Sequence, residues 1–347
     1  MKVFVGLDIS LQKTAVCVEN EDGTIAWQGK VDSEPDALVA ALEAWRGSIG
    51  LVGLEACPLS EWIYSGIAAA GIDVRCIETR HAQRFLSTRP NKTDKNDARG
   101  IADMMRLGHF RPVHVKSVPA LHLRTLIVAR KQMLSAILKL EATTRGLLRI
   151  HGLKVGVVHR SRFAARIQEL LREAPALGPA IEPLLEASDI MRQRYVKFDL
   201  YLRRLARRDK VCLRLMTVPG VGPITALAFR ATIDDPKRFS SSKTVGAHLG
   251  VTPRVYQSGE MDHSGHISKC GDRLMRYYLY EAATTLLSRS KHWSALRSWG
   301  VRLAKRQGFK RARVAIARKI AIVMHRMWLN EESFRFTRGP EIMAVAS

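Results

Sequence analysis

The sequence predicts an α/β domain with a mixed β-sheet, followed by a long helical arm and a mainly α-helical C-terminal domain. Three observations indicate this. Three strand patterns occur in succession within residues 1–31, helix and strand patterns then alternate as far as residue 78, and two later stretches, 120–150 and 181–208, read as long helices. We therefore expect domains at residues 1–117, 118–211 and 212–347.

The strands and helices of the first domain follow from short-range patterns. Residues 3–8, 14–19 and 24–31 are apolar or β-branched runs separated by polar turns, which predicts a β-meander. A helix near residues 34–45 comes next and ends at Gly47. Further strands are predicted at 50–56 and 72–78, and further helices at 60–70 and 94–107. Three strands in succession followed by this alternation favour a mixed sheet flanked by helices.

The second long helix carries an apolar stripe at mostly three- and four-residue steps. Its members are Leu184, Met191, Tyr195, Phe198, Leu202 and Leu205. Such a heptad-like stripe is typical of a coiled-coil or bundle contact. The length of the arm favours self-association, so we expect a homodimer or homotetramer.

The charge is large and unevenly distributed. The chain has 56 Lys and Arg against 32 Asp and Glu, yet residues 1–100 hold 11 basic and 14 acidic side chains. An acidic N-terminal region is therefore joined to a strongly basic remainder. Because neutralising phosphates releases counterions, a surplus of this size indicates a nucleic-acid partner. Mere solubility does not require a pI near 10.4.

The cysteines and the hydropathy pattern indicate a cytoplasmic protein. The five cysteines are widely spaced and form no C-x-x-C motif, which is typical of reduced thiols. The apolar run before Asp8 is too short for a signal peptide, and no stretch reaches eighteen uninterrupted apolar residues. We expect no membrane association.

Four carboxylates occupy positions where they could meet. Asp8 and Glu55 end two predicted strands, while Asp94 and Asp97 share one face at the start of a predicted helix. Carboxylate oxygens and phosphate oxygens are the ligands that Mg²⁺ prefers, and Mn²⁺ is an alternative ion. Two such ions about 4 Å apart can bind both oxygens of a phosphoryl transfer. Each residue could instead simply cap a helix or end a strand.

Other residues suggest contacts with a phosphate backbone. Lys92, Lys95 and Arg99 flank the acidic pair, although a solvated helix start is the simpler interpretation. The turn with Gly220 and Gly222 could present backbone N–H groups to a phosphate, in the manner of a helix-turn-helix, or could be a plain connection between helices.

Two sets of motifs together resemble one known family. "GLDIS", "LEA" and "KTDKNDA" resemble the Asp-Glu-Asp-Asp tetrad of a RuvC-like, ribonuclease-H-like domain. "PGVGPITA", "LGVTPR", "YQSG" and "ISKCGD" then follow in the order found in the insertion-sequence transposases related to the Piv DNA invertase, the one-ten insertion-sequence family. The resemblance spans residues 3–330.

The resemblance implies a mechanism and a set of partners. It implies that Asp8, Glu55, Asp94 and Asp97 bind metal, that the helical insert mediates assembly, and that Ser258 is a nucleophile forming a phosphoserine link to DNA. The tetrad of one subunit and the serine of another would form a composite site. Donor and target DNA would be partners, and a noncoding bridge RNA would guide the choice of site.

The neighbours of Ser258 have less defined roles. Lys269 and Arg276 could steady the scissile phosphate, and this interpretation rests only on their charge and closeness in sequence. His263 and His266 lie in the same loop and receive no role.

Two other functions stay open from the residues alone. A nuclease or junction resolvase would use the carboxylates to activate water and would need no serine. A non-catalytic nucleic-acid-binding protein would use only the basic helices, and its carboxylates would be structural.

Overall fold

The computed structural model describes residues 1–87, 91–258 and 261–336, with the backbone alone at 261–264. The chain forms two compact units, Met1–Lys116 and Ser117–Ser347. The separate boundary expected near residue 211 stays a prediction. No helix in the described ranges is long and apolar enough to cross a bilayer.

The first unit is built on a five-stranded mixed sheet. Its strands are β1 (Val3–Ile9), β2 (Lys13–Asn20), β3 (Ile25–Asp32), β4 (Ile49–Glu55) and β5 (Val74–Ile77), in the spatial order β3-β2-β1-β4-β5. The first three form an antiparallel meander, while β4 pairs parallel to β1 and β5 parallel to β4. The predicted α/β fold with a mixed sheet is confirmed.

Helices cover both faces of this sheet. They are α1 (Pro35–Leu42), α2 (Ser60–Ala69), α3 (Thr79–Leu86) and α4 (Asp94–Leu107). On one face, Val5 and Leu7 of β1 are buried together with apolar residues of α1 and α2. Because side chains alternate along a strand, Gly6 and Asp8 point to the opposite face, which α4 covers.

Small residues allow α4 to lie directly on the sheet. Ala15 and Cys17 of β2 form a buried cluster with Ala98 and Ala102 of α4. Gly6 is nearer still: a Cβ atom built there would lie 2.0 Å from the Ala98 carbonyl oxygen and 2.4 Å from the Ala102 nitrogen. Only a residue without a side chain fits beneath the helix backbone.

The second unit begins with two long helices that pack against each other. They are α5 (Val118–Ile150) and α7 (Gly178–Arg208), and α6 (Phe163–Glu173) lies between them in the chain. Phe163, Ile167 and Leu170 of α6 share a small core with Leu148 and Ile181. The sequence prediction of two long helices in this region is confirmed.

The predicted apolar stripe on α7 is only partly right. Leu202 is buried, but Phe198 and Leu205 are partly buried at the edge of the main core of this unit. The buried line along α7 instead consists of Ile181, Leu185, Ser188, Asp199, Leu202 and Ala206. The apolar pattern missed this line because polar residues occupy its middle.

An ion-pair network fills that polar middle. The Arg130 Nε of α5 donates to the Asp199 Oδ1 of α7 at 2.5 Å, and the Arg130 Nη2 donates to the Tyr195 hydroxyl at 2.6 Å. Two turns from Asp199 along α7, Arg192 donates to Glu141 of α5 at 2.6 Å. Paired charges of this kind fix the register of two helices, because removing one partner leaves a buried charge unpaired.

The rest of the unit is mainly helical, with one β-hairpin. Its helices are α8 (Lys210–Leu215), α9 (Pro223–Ile233), α10 (Thr244–His248), α11 (Arg273–Ser288), α12 (Ala295–Gln307) and α13 (Phe309–Leu329), and the hairpin consists of β6 (Pro253–Ser258) and β7 (Met261–Ile267). A large core joins α9, α11 and α13, with Phe229, Leu279 and Ile320 fully buried. The predicted mainly helical character is confirmed.

The Gly6 contact leads to a stability prediction. Substituting Gly6 by Ala would drive a methyl group into the α4 backbone, and overpacking of this kind typically costs about 1–3 kcal/mol. We expect Gly6→Ala to lower the free energy of unfolding by about 2 kcal/mol or more, measured by urea denaturation. Gly47→Ala is the matched control, since nothing lies within 4 Å of its Cβ position. Equal stability of the two variants would contradict the close packing.

Candidate metal and nucleic-acid site

Two of the four predicted carboxylates lie at the same edge of the sheet. Strands β1 and β4 are parallel neighbours, with Leu7 opposite Leu54, so their C-terminal ends coincide. Asp8 and Glu55 are the next residues along these strands and point to the face covered by α4. Thr79, at the start of α3, lies close to Glu55, and its hydroxyl donates a hydrogen bond to the Ala56 carbonyl oxygen at 3.1 Å.

The other two carboxylates come from the first turn of α4. Thr93 caps this helix, because its side-chain oxygen accepts a hydrogen bond from the Asn96 backbone N–H at 3.2 Å. Asp94 and Asp97 lie one turn apart directly after the cap. Asp97 is half-buried, whereas Asp94 is exposed and receives a hydrogen bond from the Lys30 ammonium at 2.8 Å.

Asp8 lies close enough to the other three carboxylates for their charges to affect it. Burial raises the pKa of Asp8 to about 6, with further increases from the charges of Asp97, Asp94 and Glu55. Burial also raises the pKa of Glu55, an effect that the nearby Thr79 side chain opposes. The hydrogen bond from Lys30, and then its charge, lower the pKa of Asp94. All four predicted residues thus lie near this edge of the sheet, and their joint role as metal ligands stays a prediction.

The carboxylates lie near the same edge of the sheet, but their oxygens do not converge on a single point. Among the side chains that the structure describes, no three of the His, Cys, Asp or Glu type are arranged to share a single ion. The donor chemistry of this carboxylate cluster nevertheless fits a hard divalent cation, since it consists of carboxylate oxygens.

The basic residues beside the cluster are all exposed. This holds for Lys92, Lys95 and Arg99. The charge of Lys92 is near enough to lower the pKa of both Asp8 and Glu55. A mobile cation beside a carboxylate cluster can also contact a phosphate, so the predicted role of these residues stays a prediction.

Ser258 lies in the second unit, at the end of an exposed strand. It is the last residue of β6, where it pairs with Met261 of β7, and every residue of this strand is exposed. Its hydroxyl is therefore not enclosed in the core of its own unit. His266 is exposed, whereas the side chain of His263 lies outside the described part of the chain.

Two of the predicted phosphate-contacting residues have clear structural roles. Gly220 has φ +91°, and a Cβ there would lie 2.4 Å from the Ala282 carbonyl oxygen, so this turn packs tightly on α11. The Arg276 Nη1 donates to three backbone carbonyls, the shortest contact being 2.6 Å to Cys270. These contacts account for a glycine at position 220 and an arginine at position 276 without any contact to nucleic acid.

The remaining two are more open to a ligand. Gly222 is the N-cap of α9 and has free space around its Cβ position, and Lys269 is exposed. Contacts of Gly220, Gly222, Lys269 and Arg276 with nucleic acid stay predictions.

Sequence reasoning missed Lys30. This residue is opposite Ala15 on β2, and Ala15 in turn is opposite Asp8 on β1, so the three form a row on one face of the sheet. The antiparallel register of the meander was the signal that could have found it, since it places residue 30 level with residue 8.

Comparison with known proteins now identifies the class. A family model described as a transposase, of the DEDD type of IS110 elements, matches residues 5–152. A second, described as the transposase IS116/IS110/IS902 family, matches residues 212–298. The chain is thus an insertion-sequence transposase, a protein class that moves DNA.

Individual relatives agree along nearly the whole chain. The transposase for insertion sequence element IS1111A of Coxiella burnetii is 28% identical over 96% of this chain and 91% of its own length. A probable family 20 transposase of Pseudomonas aeruginosa is 26% identical over 82% of this chain and 86% of its own. The transposase for IS1328 of Yersinia enterocolitica is 26% identical over 72% and 75%. The protein belongs to the IS110/IS116/IS902 family of transposases, as its motifs predicted.

The raised pKa of Asp8 leads to a prediction about pH. The pKa in the folded protein is about 6 and lies above the value of about 3.9 in an unfolded chain. The ionised carboxylate therefore opposes folding above pH 6, and this penalty disappears as the pH falls towards 4 and Asp8 takes up a proton. With chelator present, we expect Asp8→Asn to raise the free energy of unfolding by about 1–2 kcal/mol at pH 8 and not at pH 4.

Urea denaturation across this pH range measures the effect. Asp36→Asn is the control, because Asp36 is an exposed carboxylate at the start of α1 and a surface change there should stay within about 0.5 kcal/mol. A gain for Asp8→Asn that is equal at pH 4 and pH 8, or a loss at both, would refute the assignment of the repulsion to Asp8.

Proposed function

We propose that this transposase cuts and rejoins DNA through a phosphoserine link on Ser258, assisted by Mg²⁺ bound to Asp8, Glu55, Asp94 and Asp97. The main support is geometric: the strand ends that carry Asp8 and Glu55 are adjacent, and the first turn of α4, which carries Asp94 and Asp97, packs on the same face of the sheet. The charges of Asp97, Asp94 and Glu55 raise the pKa of Asp8, so an ionised Asp8 is costly there, and a divalent cation removes that cost.

The architecture supports this proposal. The strand order, with an antiparallel meander followed by two parallel strands, is compatible with a ribonuclease-H-like fold of the first unit. In the second unit, buried positions recur at three- and four-residue steps from Gly178 to Ser188 and again from Asp199 to Ala206 of α7, as in a coiled coil. We assign the helical pair α5 and α7 to homodimer or homotetramer assembly, between a catalytic domain at 1–117 and a transposase domain from 212.

The metal would be held by side chains that are already in place. Asp8 and Glu55 would provide oxygens from the rigid strand ends, and Asp94 and Asp97 would provide oxygens from the first turn of α4. Mg²⁺, or Mn²⁺ in its place, would supply a Lewis acid for phosphate oxygens. The nearby Lys92, Lys95 and Arg99 would guide the phosphate backbone to this edge.

Ser258 would carry out the covalent step. Its hydroxyl oxygen attacks a DNA phosphorus and gives up its proton, the new oxygen–phosphorus bond forms, and the bond to the leaving DNA oxygen breaks as that oxygen takes up a proton and becomes a hydroxyl. A second DNA end then attacks the phosphoserine and restores the serine hydroxyl. The number of phosphodiester bonds is conserved, so the exchange needs no ATP. The exposed position of Ser258 suits a site completed by the carboxylates of another subunit.

The choice of site would depend on a noncoding guide RNA. The resemblance implies such an RNA, and the strongly basic part of the chain after residue 100 could bind it along with donor and target DNA. Delegating sequence recognition to base pairing would explain how the protein selects a site without a recognised reading motif. With these partners the reaction would take place in the cytoplasm.

A plasmid recombination assay separates this mechanism from hydrolysis. The assay contains donor and target DNA, Mg²⁺ and an RNA transcribed from the noncoding ends of the element. We expect Ser258→Ala to lose both strand exchange and the protein–DNA adduct, because no phosphoserine can form. We expect Asp97→Asn to lose activity while still binding DNA, because only the metal ligand is removed. Leaving out the RNA should also abolish exchange.

Controls make each outcome decisive. Ser240→Ala and Asp36→Asn change exposed residues outside the cluster and should keep full activity. If Ser258→Ala still cuts DNA, the protein is a metal-dependent nuclease that activates water. If Asp97→Asn recombines normally, the carboxylates are structural and the metal proposal fails.

A further inference from the structure

We propose that Lys30 is a built-in competitor for the metal at Asp94: its ammonium holds this carboxylate before a divalent cation binds and is displaced when one does. The inference rests on the proposed metal site and adds a residue to it. It makes Lys30 a positioning residue that acts through Asp94.

The position of Lys30 follows from the sheet. Lys30, Ala15 and Asp8 form a row across β3, β2 and β1, and neighbouring strands lie about 4.8 Å apart. The Cα of Lys30 is thus about 10 Å from that of Asp8. Ala15, between them, has too small a side chain to block the way. A long lysine side chain on β3 can therefore extend towards the carboxylates.

The start of α4 lies where this side chain ends. The Lys30 Nζ is 2.8 Å from the Asp94 Oδ2, a normal length for a charge-assisted hydrogen bond. The Asp94 hydrogen bond and charge raise the pKa of Lys30, and the more distant Asp8 adds to this. Lys30 thus senses two of the four proposed ligands, while Lys92 acts on Asp8 and Glu55.

The ion pair is easily exchanged. The side chains of Lys30 and Asp94 are 59% and 55% exposed, and pairs with this exposure contribute little net energy. A divalent cation between several carboxylates has the stronger attraction and would take Asp94 from the ammonium. The released ammonium then stays beside the site, where a phosphate oxygen of DNA is its natural partner.

A second lysine on the sheet provides a comparison. Lys13 of β2 pairs with Asp32 of β3 at 3.4 Å, with exposures of 61% and 67%. This pair resembles the Lys30 pair in exposure and charge, but Asp32 is not one of the four proposed metal ligands. A change in metal affinity that occurs on substituting Lys30 but not Lys13 would therefore arise from the position of Lys30 beside the proposed metal ligands.

Isothermal titration of the full, chelator-treated chain with Mn²⁺ tests the proposal. We expect Lys30→Met to tighten Mn²⁺ binding by about two- to fivefold, the range that exposed ion pairs span. Lys30→Arg should bind as the wild type does, and Lys13→Met should change nothing. Damage to the fold would weaken binding, so a gain in affinity cannot arise from it.

A double-substitution comparison assigns the effect to Asp94. In an Asp94→Asn background, Lys30→Met should no longer tighten Mn²⁺ binding, because the carboxylate for which the two cations compete is gone. Weaker or unchanged binding by Lys30→Met alone, or a gain that persists without Asp94, would overturn the competitor role while leaving the metal site intact. If the wild type shows no Mn²⁺ binding that Asp8→Asn removes, the metal site itself fails, and this inference with it.

Discussion

The close packing of α4 on the sheet is the constraint on which the rest of the first unit depends. Gly6 lets the backbone of this helix lie almost directly on β1, and Ala98 and Ala102 of the helix are buried together with Ala15 and Cys17 of the neighbouring strand β2. The first turn of the helix is thereby fixed above the ends of β1 and β4. Two carboxylates from a helix and two from strands meet for this reason.

Repulsion between the carboxylates at this edge of the sheet opposes the packing of α4 that brings them near one another. Asp8 is half-buried and repelled by its three acidic neighbours, so ionising it is costly. Two lysines reduce this repulsion from different sides, Lys30 through Asp94 and Lys92 through Asp8 and Glu55. A divalent ion can replace the lysine ammonium groups beside these carboxylates. The site can therefore accept a metal ion although its ligands are not held rigidly around one point.

The sequence revealed local elements well because their signals are local. The meander, the start of α4 at Asp94 and the convergence of Asp8 with Glu55 all follow from alternation, capping and strand ends. Lys30 was not predicted, since its closeness to Asp94 depends on two strand registers and the docking of a helix 64 positions away. The contact line of α7 was misplaced because Ser188 and Asp199 lie in it, and a search for apolar periodicity passes over buried polar residues such as Asp199, which pairs with Arg130.

Crystals of the full chain soaked in Mn²⁺ would show whether these carboxylates bind one metal site together, by anomalous scattering at the manganese edge. We expect an anomalous peak at coordination distance from Asp8, Glu55 and at least one carboxylate of the first turn of α4. Peaks found only at scattered surface carboxylates, with none at this edge of the sheet, would contradict it.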